Sequence, residues 1–129
     1  LDRHTELNSC YRSADIFIFS SRTETQGLVL LEAMAQCVHV VSTAELGTRD
    51  VLMEGMGAWI AREELADFTG KVIRMLRSAD VRKALGEAGR DYAHSWSASK
   101  QAGRMLDFYQ AVLMQTVSGK HSHKPLASV

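Results

Sequence analysis

Residues 16–42 leave the chain little choice of fold. Ile16-Phe17-Ile18-Phe19 is an unbroken apolar run, residues 20–27 form a polar stretch ending in Gly27, residues 28–35 are apolar apart from Glu32, and Val38-His39-Val40-Val41 is again mostly apolar. A strand with no polar alternation is expected to be covered on both faces, as parallel strands beneath helices are. Strand, polar loop, helix and strand together make a βαβ unit. In doubly wound sheets ligands lie in the crevice beyond the carboxyl ends of the strands, so residues 20–27 are the first place to look for chemistry.

The helix sharpens that expectation. Glu32 is a carboxylate on an otherwise apolar helix, costly there unless something hydrogen-bonds to it. It is not half of a capping box, because Val29 and not Ser or Thr stands three residues earlier. Two readings stay open. Glu32 pairs with a nearby arginine or turns to solvent, as structural carboxylates do, or it accepts hydrogen bonds from the hydroxyls of a ligand lying over the helix N-terminus. That terminus has free N–H groups and a partial positive charge suited to phosphate, and Gly27 allows close approach of the backbone.

Elsewhere the pattern predicts a helix over 5–14, a turn-rich loop over 43–48, a short helix over 49–54, a third strand over 58–61 and an amphipathic helix over 63–77. In that last helix Leu65, Phe68, Val72 and Leu76 fall at helical spacing. Asp80 is placed to cap a further helix with Val81, Leu85, Ala88 and Tyr92 inward. Ser97 or Ser99 starts a final one, with Ala102, Met105, Leu106, Tyr109 and Leu113 in a stripe. Such stripes are ordinarily core. Residues 118–129 hold the only proline and little apolar pattern, and are expected to be a disordered tail after a domain over 1–117.

A chain of 129 residues with 46% hydrophobic content is one domain or part of one. Fifteen basic residues balance fifteen acidic ones, which argues against a nucleic-acid footprint. Cys10 and Cys37 form no metal-ligand pattern and are expected to be reduced, small hydrophobes in a cytoplasmic protein. His39 is expected to be a satisfied core or edge residue. His121 and His123 make a poor metal site without further ligands. Lys120 and Lys124 give a weak signal for a peripheral place at an anionic membrane. No leader or membrane-length apolar run is seen. The chain opens without Met on a helix-like stretch, as expected of a piece of a longer protein.

Three strands alternating with helices make a parallel α/β sheet the economical arrangement. Three are few for a complete domain. They resemble the second half of a doubly wound, Rossmann-like sheet of order 3-2-1-4-5-6, in which the first strand here would be strand 4. That strand would be left as an unpaired edge, apolar enough to pair with another chain.

Glu24-Thr25-Gln26-Gly27-Leu28-Val29-Leu30-Leu31-Glu32 resembles the E-x7-E signature of retaining, GT-B-type glycosyltransferases of family four, the glycogen synthase and mannosyltransferase kind. Ala14-Asp15-Ile16-Phe17 before it, Gly47-Thr48-Arg49-Asp50 and the glycine turn at 55–59 after it, and Leu85-Gly86-Glu87-Ala88-Gly89-Arg90 and Ser95-Trp96-Ser97 beyond resemble the same family in order, over about 8–112. The resemblance implies a GT-B C-terminal domain fragment. Glu24, Gln26 and Gly27 would hold the donor sugar; Gly27, Leu28 and Glu32 would hold the nucleotide and diphosphate, Glu32 taking the ribose hydroxyls. The donor would be a UDP- or GDP-sugar, transferred with retention to an unidentified acceptor hydroxyl and with no metal required; no residue is assigned as catalytic. Thr25-Gln26 stand where the family has an aromatic residue and glycine, and Cys37-Val38-His39 where it often has Gly-x-Pro. The family's basic diphosphate-holding segment and its N-terminal, acceptor-binding domain are not in this sequence. Arg22 and Arg49 are the candidate substitutes for the former. The fragment alone is expected to be inactive. Its partner would be the missing N-terminal half or a second chain, a homodimer being one form. The alternative function is a non-catalytic interaction module pairing through the exposed edge. A phosphorylase or epimerase on the same scaffold is disfavoured.

Overall fold

The computed structural model describes Asp2 and residues 5–119. Their elements run α1 (Glu6–Arg12), β1 (Phe17–Phe19), α2 (Leu28–Ala35), β2 (Val40–Ser42), α3 (Gly47–Val51), β3 (Ala58–Ile60), α4 (Leu65–Arg77), α5 (Ala79–Ser95) and α6 (Ala98–Gly119). The expected disordered tail falls mostly on 120–129, outside the described residues; Ser118 and Gly119 instead belong to α6. The described residues up to Trp96 form one compact unit and those from Ser97 a second.

In the first unit the strands form one parallel sheet of order β1-β2-β3. Phe17 stands opposite Val40, and Val40 opposite Ala58. Alternation along β2 sends its side chains to two layers. Val40 joins Leu30 and Met34 of α2, Leu52, Ala58 and Ala93 in one cluster. Val41 joins Ala61, Met75 of α4 and Leu85 of α5 in the other. All three residues of β2 are buried, as expected of a central parallel strand.

β1 departs from the expectation of burial on both faces. Phe17 and Phe19 pack on the α2 side, while Ile18 is 52% exposed. The cause is position. β1 is the sheet edge, and the opposite layer is built on β2 and β3.

In α4 the buried seam is Phe68, Val72 and Met75, at i, i+4 and i+7. Leu65 is 85% exposed and Leu76 is exposed, so the expected stripe was displaced. Leu65 opens the helix over the strand ends, lining a cleft there with Ser20 and Thr43. Leu76 lies a helical step away from the fully buried Met75. Asp80 is not the cap of α5. It already sits in the first turn, and Ser78 caps the helix by accepting the Val81 amide at 3.3 Å. α5 passes close to the chain entering β3: a Cβ on Gly89 would meet Gly57 Cα at 2.8 Å. Both cysteines are free and both are exposed, so neither serves as the small packing hydrophobe expected. Cys37 stands in the tight turn after α2 with φ 64°.

The described part of the second unit is α6. Met105, Leu106, Tyr109 and Leu113, expected in a core, are each more than half exposed. A single helix supplies no second layer to bury its stripe.

Candidate functional site

Three loops leave the carboxyl ends of the three strands, and the site is built from them. The first, residues 20–27, is organised by one side chain. Glu24 Oε1 accepts the amides of Gln26 and Gly27 at 3.0 Å each. These hydrogen bonds, Gln26 first, hold the Glu24 carboxyl below the usual carboxylate range. Gly27 is buried and is the N-cap of α2 at φ 66°, ψ 17°. The left-handed backbone, more than space, calls for glycine: a Cβ there would meet Val51 at an ordinary 3.5 Å. Amides of the first turn of α2 have no intrahelical partner, so this loop presents donors at the strand end.

The second loop, residues 43–47, is strained and locked to the first. Ala44 and Leu46 both have positive φ, 51° and 48°. The Gly47 amide donates to the Glu24 carbonyl at 3.2 Å, and a Cβ on Gly47 would fall 2.1 Å from the Thr25 oxygen. No other residue type fits that approach. Thr48, fully buried, donates its hydroxyl to the Glu45 carbonyl at 2.6 Å.

The third loop follows β3. Glu63 in it pairs with Arg22 of the first loop, and the Arg62 amide donates to Asp67 Oδ2 at 2.8 Å. Two clefts lie among the loops. One of about 310 Å³ is lined by Arg22, Glu45, Leu46 and Glu63. One of about 390 Å³ is lined by Ser20, Thr43, Leu65 and Phe68 together with the Arg62 region.

The residues singled out from sequence are brought together as far as one loop and one helix allow. Glu24, Gln26 and Gly27 share the first loop, and Leu28 opens α2. Glu32 lies one turn further on, at i+4 from Leu28 and so on the same helix face. It is half-buried, and Tyr11 of α1 donates its hydroxyl to Glu32 Oε2 at 3.2 Å. Arg22 is tied to Glu63 and Arg49 is an exposed residue of α3. Tyr11, Leu46 and Glu63 were not found as site neighbours from sequence. Each comes from another segment, and no local spacing signals it.

His39 is buried, 4% exposed, and neither ring nitrogen is hydrogen-bonded, so it is not the satisfied histidine expected. Burial first, and then the positive charge of Arg82, lower its pKa; Asp15 pulls the other way. Among the described residues no group of three His, Cys, Asp or Glu could hold a metal ion, and no helix is long and apolar enough to cross a membrane.

A three-stranded parallel sheet with helices in both layers and its loops gathered at the strand ends is shared with part of the GT-B glycosyltransferase C-terminal domain fold. The chain superposes on the C-terminal domain of LpcC, a glycosyl transferase group 1 family protein from Francisella tularensis. The TM-score is 0.64 at 22% identity, over 74% of this chain and 49% of that one. Residues 1–92 match the family model described as Glycosyl transferases group 1, and the chain belongs to that family. It is 31% identical over 113 residues to the sulfoquinovosyl transferase SQD2 of Arabidopsis thaliana, covering 83% of this chain and 22% of that protein. It is 35% identical over 97 residues to a D-inositol 3-phosphate glycosyltransferase of Frankia alni, covering 73% and 24%. The chain therefore spans about a quarter of the length of these curated relatives.

Proposed function

We propose that this chain is the donor-binding part of a retaining glycosyltransferase that moves a sugar from a nucleoside diphosphate sugar to an acceptor hydroxyl. One observation carries the reading. The β1–α2 loop is pinned by Glu24 so that the N-terminus of α2 faces the strand ends, with Glu32 one turn along on the face of Leu28. Glu32 takes the ribose hydroxyls, Gln26, Gly27 and Leu28 hold the diphosphate and sugar, and Glu24 meets the sugar while shaping the loop. Fixed donors there stabilise the charge that develops on the leaving diphosphate. The donor is a UDP- or GDP-sugar, and no metal is required. The protein works in the cytoplasm, with a peripheral place at the membrane as its second location. The chain by itself has no transferase activity, because donor and acceptor must be positioned together.

Calorimetric titration of the purified chain with UDP and GDP tests this, beside Glu32→Ala. Binding of one diphosphate, weakened about tenfold or more by Glu32→Ala with the fold intact, is the expected result; a charged hydrogen bond of this kind is worth roughly 1.5–3 kcal/mol. A folded chain that binds neither would overturn the reading. A second reading is favoured by the exposed Ile18 on edge strand β1: an interaction module that pairs this edge with another chain, a second copy included.

A further inference from the structure

Leu46 occupies a backbone conformation that glycine normally fills. Its φ of 48° and ψ of −129° are those of the first central residue of a type II′ turn. A side chain there is costly, and strain of this kind persists where a site makes use of it. Nor is burial the compensation, since Leu46 is 62% exposed. What the strained backbone achieves is placement. The next residue, Gly47, is clamped against Thr25 and bonded to the Glu24 carbonyl. Leu46 thus stands immediately beside the loop of Glu24, Gln26 and Gly27, and its side chain lines the cleft of about 310 Å³ with Arg22, Glu45 and Glu63. It is an apolar group in a cleft whose other lining residues are charged.

We infer that Leu46 is a specificity-determining residue for the sugar part of the donor, its side chain taking up the space that a bulkier ring substituent would need. This rests on the donor-binding reading above. The diphosphate, held by amides of the first loop, does not need that space. Leu46 therefore acts on the choice between sugars and not on the affinity for the nucleotide.

The test uses two variants of the purified chain. Leu46→Gly removes the side chain and relieves the backbone; Leu46→Ala removes the side chain and keeps the strain. Affinities are measured for the diphosphate that binds and for two of its sugars differing in one substituent: UDP-glucose and UDP-N-acetylglucosamine, or GDP-D-rhamnose and GDP-mannose. The expected result is a shift of about tenfold in preference towards the bulkier sugar in both variants, the scale of discrimination an apolar contact supplies. Affinity for the diphosphate alone changes less than about twofold. A melting curve confirms that both variants fold, Leu46→Gly at least as stably as the native chain. An unchanged sugar preference, or a shift in Leu46→Gly alone, overturns the inference while leaving the donor site standing. Failure of the native chain to bind either diphosphate removes the donor-binding reading and this inference with it.

Discussion

His39 shows how far a residue's setting can depart from its chemistry. It sits between two valines at the start of a buried strand, and nothing in its local sequence tells whether its ring nitrogens find partners. In the fold neither is hydrogen-bonded, and its pKa is lowered, by burial before the charge of Arg82. The sign follows. Above about pH 6.5 both folded and unfolded forms are neutral; below it the unfolded chain takes up the proton first. His39 therefore costs stability as pH falls from about 6.5 towards the lowered folded value. His39→Leu is expected to stabilise the chain by about 1 kcal/mol, since an unsatisfied buried polar group is removed. It should also flatten the fall of melting temperature between about pH 7 and 5. Thermal melts across that range check both. An unchanged slope would place the acid sensitivity elsewhere. The candidate site residues were more legible than this one. Glu24, Gln26, Gly27, Leu28 and Glu32 lie within one loop and one helix, so their proximity follows from spacing. One partner of Glu32, the Tyr11 hydroxyl, lies 21 residues away and has no such signal.

At the scale of elements, type and order were legible and the ends were not. Every expected helix and strand in residues 5–117 is present, and most begin or stop within two residues of the expected place. The errors share a cause. Periodicity shows that a helix has an apolar side, but the neighbouring layer decides which residues of that side reach it. Hence Met75 is fully buried while Leu65, in the same helix, is 85% exposed. Capping at α5 gives a direct check. Ser78→Ala should cost about 1 kcal/mol, the usual loss of an N-cap. Asp80→Ala should cost only the weaker interaction of a first-turn carboxylate with the helix dipole, about 0.3–1 kcal/mol. Denaturant midpoints of the two variants compare them, and a larger loss at Asp80 would reverse the cap assignment.

At the scale of the molecule, the sheet has an apolar edge. Phe17 and Phe19 are covered from the α2 side, yet Ile18 is open and β1 has a strand neighbour on one side only among the described residues. An apolar edge of this sort is a template for pairing. The purified chain is expected to self-associate with rising concentration, and Ile18→Lys, which places a charge on the edge, should shift it towards monomer. Sedimentation velocity reads the outcome. A native chain that stays monomeric at high concentration would sink the interaction-module reading and leave the donor-binding one untouched. The relatives that this chain matches are about three to four times as long.

By itself the sequence determined the order of the elements, the parallel sheet and the loop at the carboxyl end of its first strand. Those depend on apolar runs, helical spacing and glycine, all of which are local. Only the tertiary structure decided that Gly47 clamps a second loop against Thr25 and that Leu46 is held strained at a cleft beside that loop. These depend on two strand ends lying side by side in a sheet. Residues some twenty apart in the chain are brought into contact there by burial of the strands between the helical layers, and no pattern along the chain encodes that meeting.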